Sequence, residues 1–112
     1  MSPAVESAVR LVVRLLVEKR YKDLETLSGG TRLSAREIEQ AVQEYGGTLT
    51  YPPEDAFRLV DVIALEGVSH SQWSVIVPLW TEQEGRSDLS LEMTVGEKPE
   101  GTRIQLDNIH VR

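Results

Sequence analysis

A carboxylate inside an apolar run is the first residue in this sequence that could do chemistry. Asp61 stands in Leu59-Val60-Asp61-Val62-Ile63-Ala64-Leu65. Burial there would move its pKa towards neutrality and suit it to proton transfer. The plainer alternative puts Asp61 on the solvent side of its strand. The sequence has two histidines, His70 and His110. His70 lies in a serine-rich loop at 67–71 and reads as solvated. His110 lies between Ile109 and Val111; if those two face the core, His110 faces solvent or the second sheet face. Neither histidine has another at ligand spacing, so no metal site is expected, and no cofactor is implied. The absence of cysteine excludes a disulfide framework, a thiol nucleophile and thiolate metal ligation. Gly29-Gly30 lacks the Lys-Ser/Thr of a phosphate loop, and there is no nucleophile elbow.

Other residues suit binding better than catalysis. Trp73 and Trp80 have opposite parity in the run Gln72–Trp80. If the strand is regular, one joins the core and the other lies on the outer sheet face. An exposed tryptophan is a common anchor in protein interfaces. Trp80, close to Ile76 and followed by Glu82 and Glu84, would form an apolar spot with an acidic rim. Glu92, on the polar side of the next strand, adds to the acidic surface. The competing reading packs Trp80 against a terminal segment.

The charge distribution points the same way. The net charge is −6. Residues 1–50 hold seven Lys/Arg and seven Asp/Glu, whereas residues 51–112 hold five and eleven. Such a surface repels phosphate backbones, so nucleic acid is not an expected partner. It favours a basic protein; solubility is its plainest use.

The elements that position these residues follow from periodicity. The 112 residues fit one domain, 1–112, able to bury one core. Val5, Ala8, Val9, Val12, Leu15 and Leu16 form the apolar stripe of a first helix, with Ser2 as N-cap and Pro3 at its first position. Tyr21, Leu24 and Leu27 mark a short second helix ending at Gly29-Gly30. Ser34-Ala35-Arg36-Glu37 is a capping box for a third, with Leu33 and Ile38 placed as a hydrophobic staple and Gly46 as the C-terminal stop. After Gly47 the period changes to two. Thr48–Tyr51 reads as a short strand and Pro53–Ala56 as a helical turn. Arg58–Leu65 reads as a strand covered on both faces, because both parities are partly apolar. Gln72–Trp80 follows, with Pro78 requiring an edge or a bulge. Ser87–Val95 alternates cleanly. Thr102–Val111 breaks parity at Asp107-Asn108, the mark of a β-bulge. Helices followed by antiparallel strands indicate α+β: N-terminal helices packed on a curved meander of four to five strands.

This order of elements resembles the cystatin-like cone of the NTF2-like superfamily, in which a long N-terminal helix lies in a strongly curved sheet. Trp73–Trp80, Glu84–Leu89 and Ile109–Val111 are also similar to stretches of a small bacterial family of unknown function. The superfamily resemblance implies a site at the open end of the cone, where its enzymes use an Asp or a His as general base or acid. Asp61 and His110 are the residues that could play those parts, abstracting a proton from a small carbon acid.

The sequence therefore leads to a non-catalytic interaction domain that binds a basic partner through its acidic sheet half. An immunity-type protein that neutralises a basic toxin is the concrete version. The rival is an NTF2-like small-molecule binder or enzyme at the open end of the cone. A homodimer through the sheet face is compatible with both. Glu6, Arg10 and Arg14 interrupt the first apolar run, so no signal peptide is expected. No segment is long and apolar enough for a membrane span, and the default location is the cytoplasm.

Overall fold

The computed structural model describes residues 1–66 and 70–111. Three helices come first: α1 (Pro3–Val17), α2 (Tyr21–Ser28) and α3 (Ala35–Tyr45). Local chemistry sets each boundary. The Ser2 hydroxyl accepts from the Val5 amide at 3.2 Å and satisfies one of the donors left free at the start of α1. At the start of α3 the capping box is complete: the Glu37 amide donates to the Ser34 hydroxyl, and the Ser34 amide donates to the Glu37 carboxylate. Gly29 (φ 74°) and Gly46 (φ 90°) close α2 and α3 in the left-handed conformation. Lys19 (φ 60°) holds the corresponding place after α1, where a side chain is costly. Its amide bonds the Leu16 carbonyl and the Arg20 amide bonds that of Leu15, so the turn is fixed by the helix it ends.

The chain then forms β1 (Leu49–Thr50), a 3-10 helix (Glu54–Leu59), β2 (Asp61–Leu65), β3 (Ser71–Thr81), β4 (Gly85–Lys98) and β5 (Gly101–Val111). All pairings are antiparallel. β4 and β5 follow β3 in order. β1 and β2 share the other side of β3, β1 opposite Trp80-Thr81 and β2 opposite Gln72–Ile76. The fold is α+β, with helices followed by a five-stranded antiparallel sheet. Among the described residues no helix is long and apolar enough to cross a membrane.

The core lies between the helices and one face of the sheet. Val5, Val9, Val12 and Leu16 of α1 meet Val75 and Val77 of β3 and Leu91, Met93 and Val95 of β4, all fully or almost fully buried. Leu24 and Ile38 bring α2 and α3 into the same cluster. These side chains fill the space against the sheet.

The structure corrects the sequence reading in two places. The strand expected at Arg58–Leu65 begins at Asp61, because the 3-10 helix takes residues 54–59. It is a marginal strand with four of its five residues exposed, rather than one covered on both faces. Its apolar parity had suggested a double cover that no described element supplies. Pro78, expected at an edge or a bulge, lies in a central strand beside a register shift between Pro78 and Trp80, which fits the bulge alternative. Neither β1, opposite Trp80-Thr81, nor β2, opposite Gln72–Ile76, pairs with it. Val111 is exposed although Ile109 is buried. The bulge read at Asp107-Asn108 is present: Asn108 pairs with Glu92 and Leu106 with Met93, leaving Asp107 as the extra residue. Of the loop expected at 67–71, residues 67–69 lie outside the described residues, and Ser71 opens β3.

Candidate functional site

Strand register builds the sheet face that points away from the helices. Asp61, Ile76, Glu92 and Asn108 form one row across β2, β3, β4 and β5. Ile63, Ser74, Thr94 and Gln105 form the next, and Leu65, Gln72, Gly96 and Arg103 the one after. On the other side of the first row, Pro78, Ser90 and His110 are aligned. Ile63 is 58% exposed and Leu65 38%. The face therefore has an apolar corner on β2 and a polar field on β4 and β5.

Asp61 and His110 both belong to this face but stand at its opposite margins. β3 and β4 separate them, so three strand spacings, about 14 Å along the sheet, lie between their backbones. One small substrate does not span that distance between an acid and a base. His110 instead meets Glu92. Its Nδ1 is 3.2 Å from the Glu92 carboxylate and 3.3 Å from the Asn108 amide nitrogen. When Nδ1 carries a proton it donates to Glu92; when it is bare it accepts from Asn108. Asp61 is exposed at the head of its strand.

The residues around Trp80 divide. Trp80 is half-buried, and it borders narrow crevices with Pro52, Pro78 and the 3-10 helix residues Ala56, Phe57 and Leu59. Trp73 has the other parity and packs on the core. Glu82 is exposed; its amide donates to the Thr48 carbonyl. Glu84 is engaged in the fold: its Oε1 accepts from the Tyr45 hydroxyl at 2.7 Å and from the Thr81 hydroxyl at 3.3 Å. The Gln83 side chain accepts from the Thr48 amide, so the whole β3–β4 turn is tied to the end of α3 and the loop after it.

Open clefts lie elsewhere. One of about 360 Å³ is bordered by the end of α1, the start of α2, and α3 with its following loop; Lys19, Tyr21, Glu39, Gln43 and Thr48 are its polar lining. Burial, and then the charge of Glu39, push the Tyr21 phenol upward. Two more, of about 520 and 590 Å³, flank Arg10. Arg10 bonds Glu54 at 3.0 Å and Glu6 at 3.2 Å while its guanidinium sits 4.3 Å from the centre of the Phe57 ring. Neither Asp61 nor His110 lines any of these clefts. Among the described residues no cluster of three His, Asp or Glu side chains is placed to hold a metal ion.

A family model described as a domain of unknown function, DUF7668, matches residues 13–112. The chain belongs to that family. No curated protein and no solved structure matches it. The DUF7668 span takes in the last turns of α1, the other two helices and the entire sheet. Asp61, Trp80, Glu82, Glu84, Glu92 and His110 all lie within it.

Several DUF7668 residues that carry interactions were not singled out by sequence. The hydroxyl of Tyr45, the last residue of α3, bridges Glu84 and the Asp88 amide. Glu25 of α2 accepts from the Ala35 amide at the head of α3 and from Lys22. The Lys22–Glu25 spacing was a legible signal; the bond to Ala35 depends on how the two helices meet.

Proposed function

We propose that this protein is a non-catalytic interaction domain that docks a basic protein on the outer face of its sheet. The observation that carries this reading is the exposed apolar corner of Ile63 and Leu65, set in the same face as Asp61 and Glu92. Exposed aliphatic side chains beside carboxylates suit a partner that presents apolar surface ringed by Lys or Arg. The excess of Asp/Glu in residues 51–112 supports the same partner sign. An immunity-type protein that neutralises a basic toxin is the specific form of this proposal.

The rival site at the open end of an NTF2-like cone has less support. Packed side chains occupy the space between α1 and the sheet, and Asp61 and His110 stand far apart. The two register shifts and the long first helix are the features that favour cone-like curvature.

Charge reversal tests the proposal. Glu82→Lys/Glu92→Lys spares Glu84, whose loss would disturb Tyr45. Partners recovered with the wild-type protein from its native host are bound again at low and at high salt. The double variant is expected to bind at least about tenfold more weakly, with a flatter salt dependence. Equal affinity for wild type and variant would overturn the reading. For the immunity form, co-expression with a basic toxin encoded beside this chain should protect growth, and the reversal should abolish protection.

A further inference from the structure

Among the described residues, the second edge of β2 has no strand paired to it. β2 bonds β3 along Asp61–Leu65. Edge strands are ordinarily blunted by lysine, proline or a bulge, because their free amides and carbonyls are a template for another chain. β2 carries none of these: its sequence is Asp61-Val62-Ile63-Ala64-Leu65, paired with β3 in continuous register. Residues 59–85 contain no lysine or arginine, and they hold the carboxylates Asp61, Glu66, Glu82 and Glu84. An acid thus stands at each end of the exposed apolar strand.

We infer that β2 receives an extended segment of the basic partner as an added antiparallel strand. This deepens the interaction reading above and rests on it. Main-chain hydrogen bonds to the open edge would supply affinity without sequence demands, and the β2 side chains would supply selectivity. Asp61, Ile63 and Leu65 share the outer face; Val62, Ala64 and Glu66 alternate with them. The segment that fits is about five to seven residues long, apolar in its middle and basic at both ends, spanning about 17 Å of strand. A second copy of this chain fits worse. Antiparallel self-pairing about Ile63 would set Asp61 of each copy opposite Leu65 of the other, and no lysine or arginine in either strand would meet the carboxylates of Asp61 and Glu66.

The probe is a capped seven-residue peptide with valine and threonine alternating between terminal lysines; its control has terminal glutamates. Amide exchange of the full-length protein is followed by NMR. The lysine peptide is expected to slow exchange of outward-pointing amides within residues 61–65, and the glutamate peptide to leave them unchanged. Ile63→Lys is expected to weaken the lysine peptide at least about tenfold. Ile63 is largely exposed, so this variant keeps its fold; Asp61→Asn/Glu66→Gln is a second variant, expected to remove the salt dependence. Unchanged exchange at 61–65, absence of binding, or equal binding of both peptides would overturn strand addition. So would a concentration-dependent dimer in sedimentation that Ile63→Lys dissolves. If Glu82→Lys/Glu92→Lys still abolishes partner binding while the β2 amides stay unprotected, the docking face survives and strand addition fails. If neither responds, both fail.

Discussion

The Tyr45 hydroxyl donates to the Glu84 carboxylate at 2.7 Å, and this bond joins the last residue of α3 to the turn between β3 and β4. The same hydroxyl accepts from the Asp88 amide at 3.1 Å, and the Thr81 hydroxyl accepts from the Glu84 amide at 3.1 Å. Glu84 is thereby a structural acid held by the fold, whereas the side chain of nearby Glu82 is exposed. Charge at this turn serves two different ends in neighbouring residues, Glu82 and Glu84.

Tyr45→Phe and Glu84→Gln should each lower the melting temperature by a few degrees, and the double variant should fall little further than the worse single one, because both remove the same bond. The bond to Glu84, followed by burial, raises the Tyr45 pKa. A raised phenol favours the folded state below its unfolded value of about 10, and that contribution is lost as pH rises through the folded value. Wild type should therefore lose more stability than Tyr45→Phe between pH 9 and 11 (the range about the ordinary tyrosine pKa), measured by urea melts.

Glu25 gives the opposite pH dependence. The hydrogen bond from Lys22, then that from the Ala35 amide, hold its carboxyl below the usual range. A depressed carboxyl stabilises the fold above its unfolded pKa of about 4.3, and the contribution is lost as pH falls through the folded value. Glu25→Gln should be less stable than wild type at neutral pH, and the difference should close in acid. Lys22→Ala should do less, since Lys22 is largely exposed and leaves the Ala35 bond intact.

What was legible in the sequence was whatever depends on near neighbours. Ser34 and Glu37 declare the start of α3, and Gly46 its end, because a cap is a local contract among four or five residues. The bulge at Asp107 was visible because a parity break needs no partner to be seen. Which side of β2 is covered was not visible: Asp61-Val62-Ile63-Ala64-Leu65 reads the same beside one strand as between two. The parting of Asp61 from His110 was hidden for the same reason, since strand order, not spacing, puts β3 and β4 between them. Glu84 read as rim charge because its partner, Tyr45, lies 39 residues away.

Ser34→Ala should destabilise the fold by about 1 kcal/mol, which corresponds to about 4 °C for a domain of this size. The variant loses the acceptor for the Glu37 amide while Glu37 keeps its bond to the residue 34 amide. Calorimetry checks this, and Ser34→Asp, which can still cap, should recover most of the loss.

Leu91 and Ile63 sit two strands apart and present opposite cases of an aliphatic side chain on the same sheet. Leu91 of β4 is fully buried against the helices, so Leu91→Ala removes both its transfer energy and its contacts, a loss of about 2–5 kcal/mol. Ile63 of β2 is more than half exposed, and Ile63→Ala should change stability by about 0.5 kcal/mol or less. Denaturant melts of the two variants separate the roles. A large loss at Ile63 would mean that its side chain is part of the folded core, and the outer face would then lose its apolar corner. A small loss leaves an exposed β-branched residue on an open edge without a folding role, which is the condition under which binding is the remaining reason to keep it there.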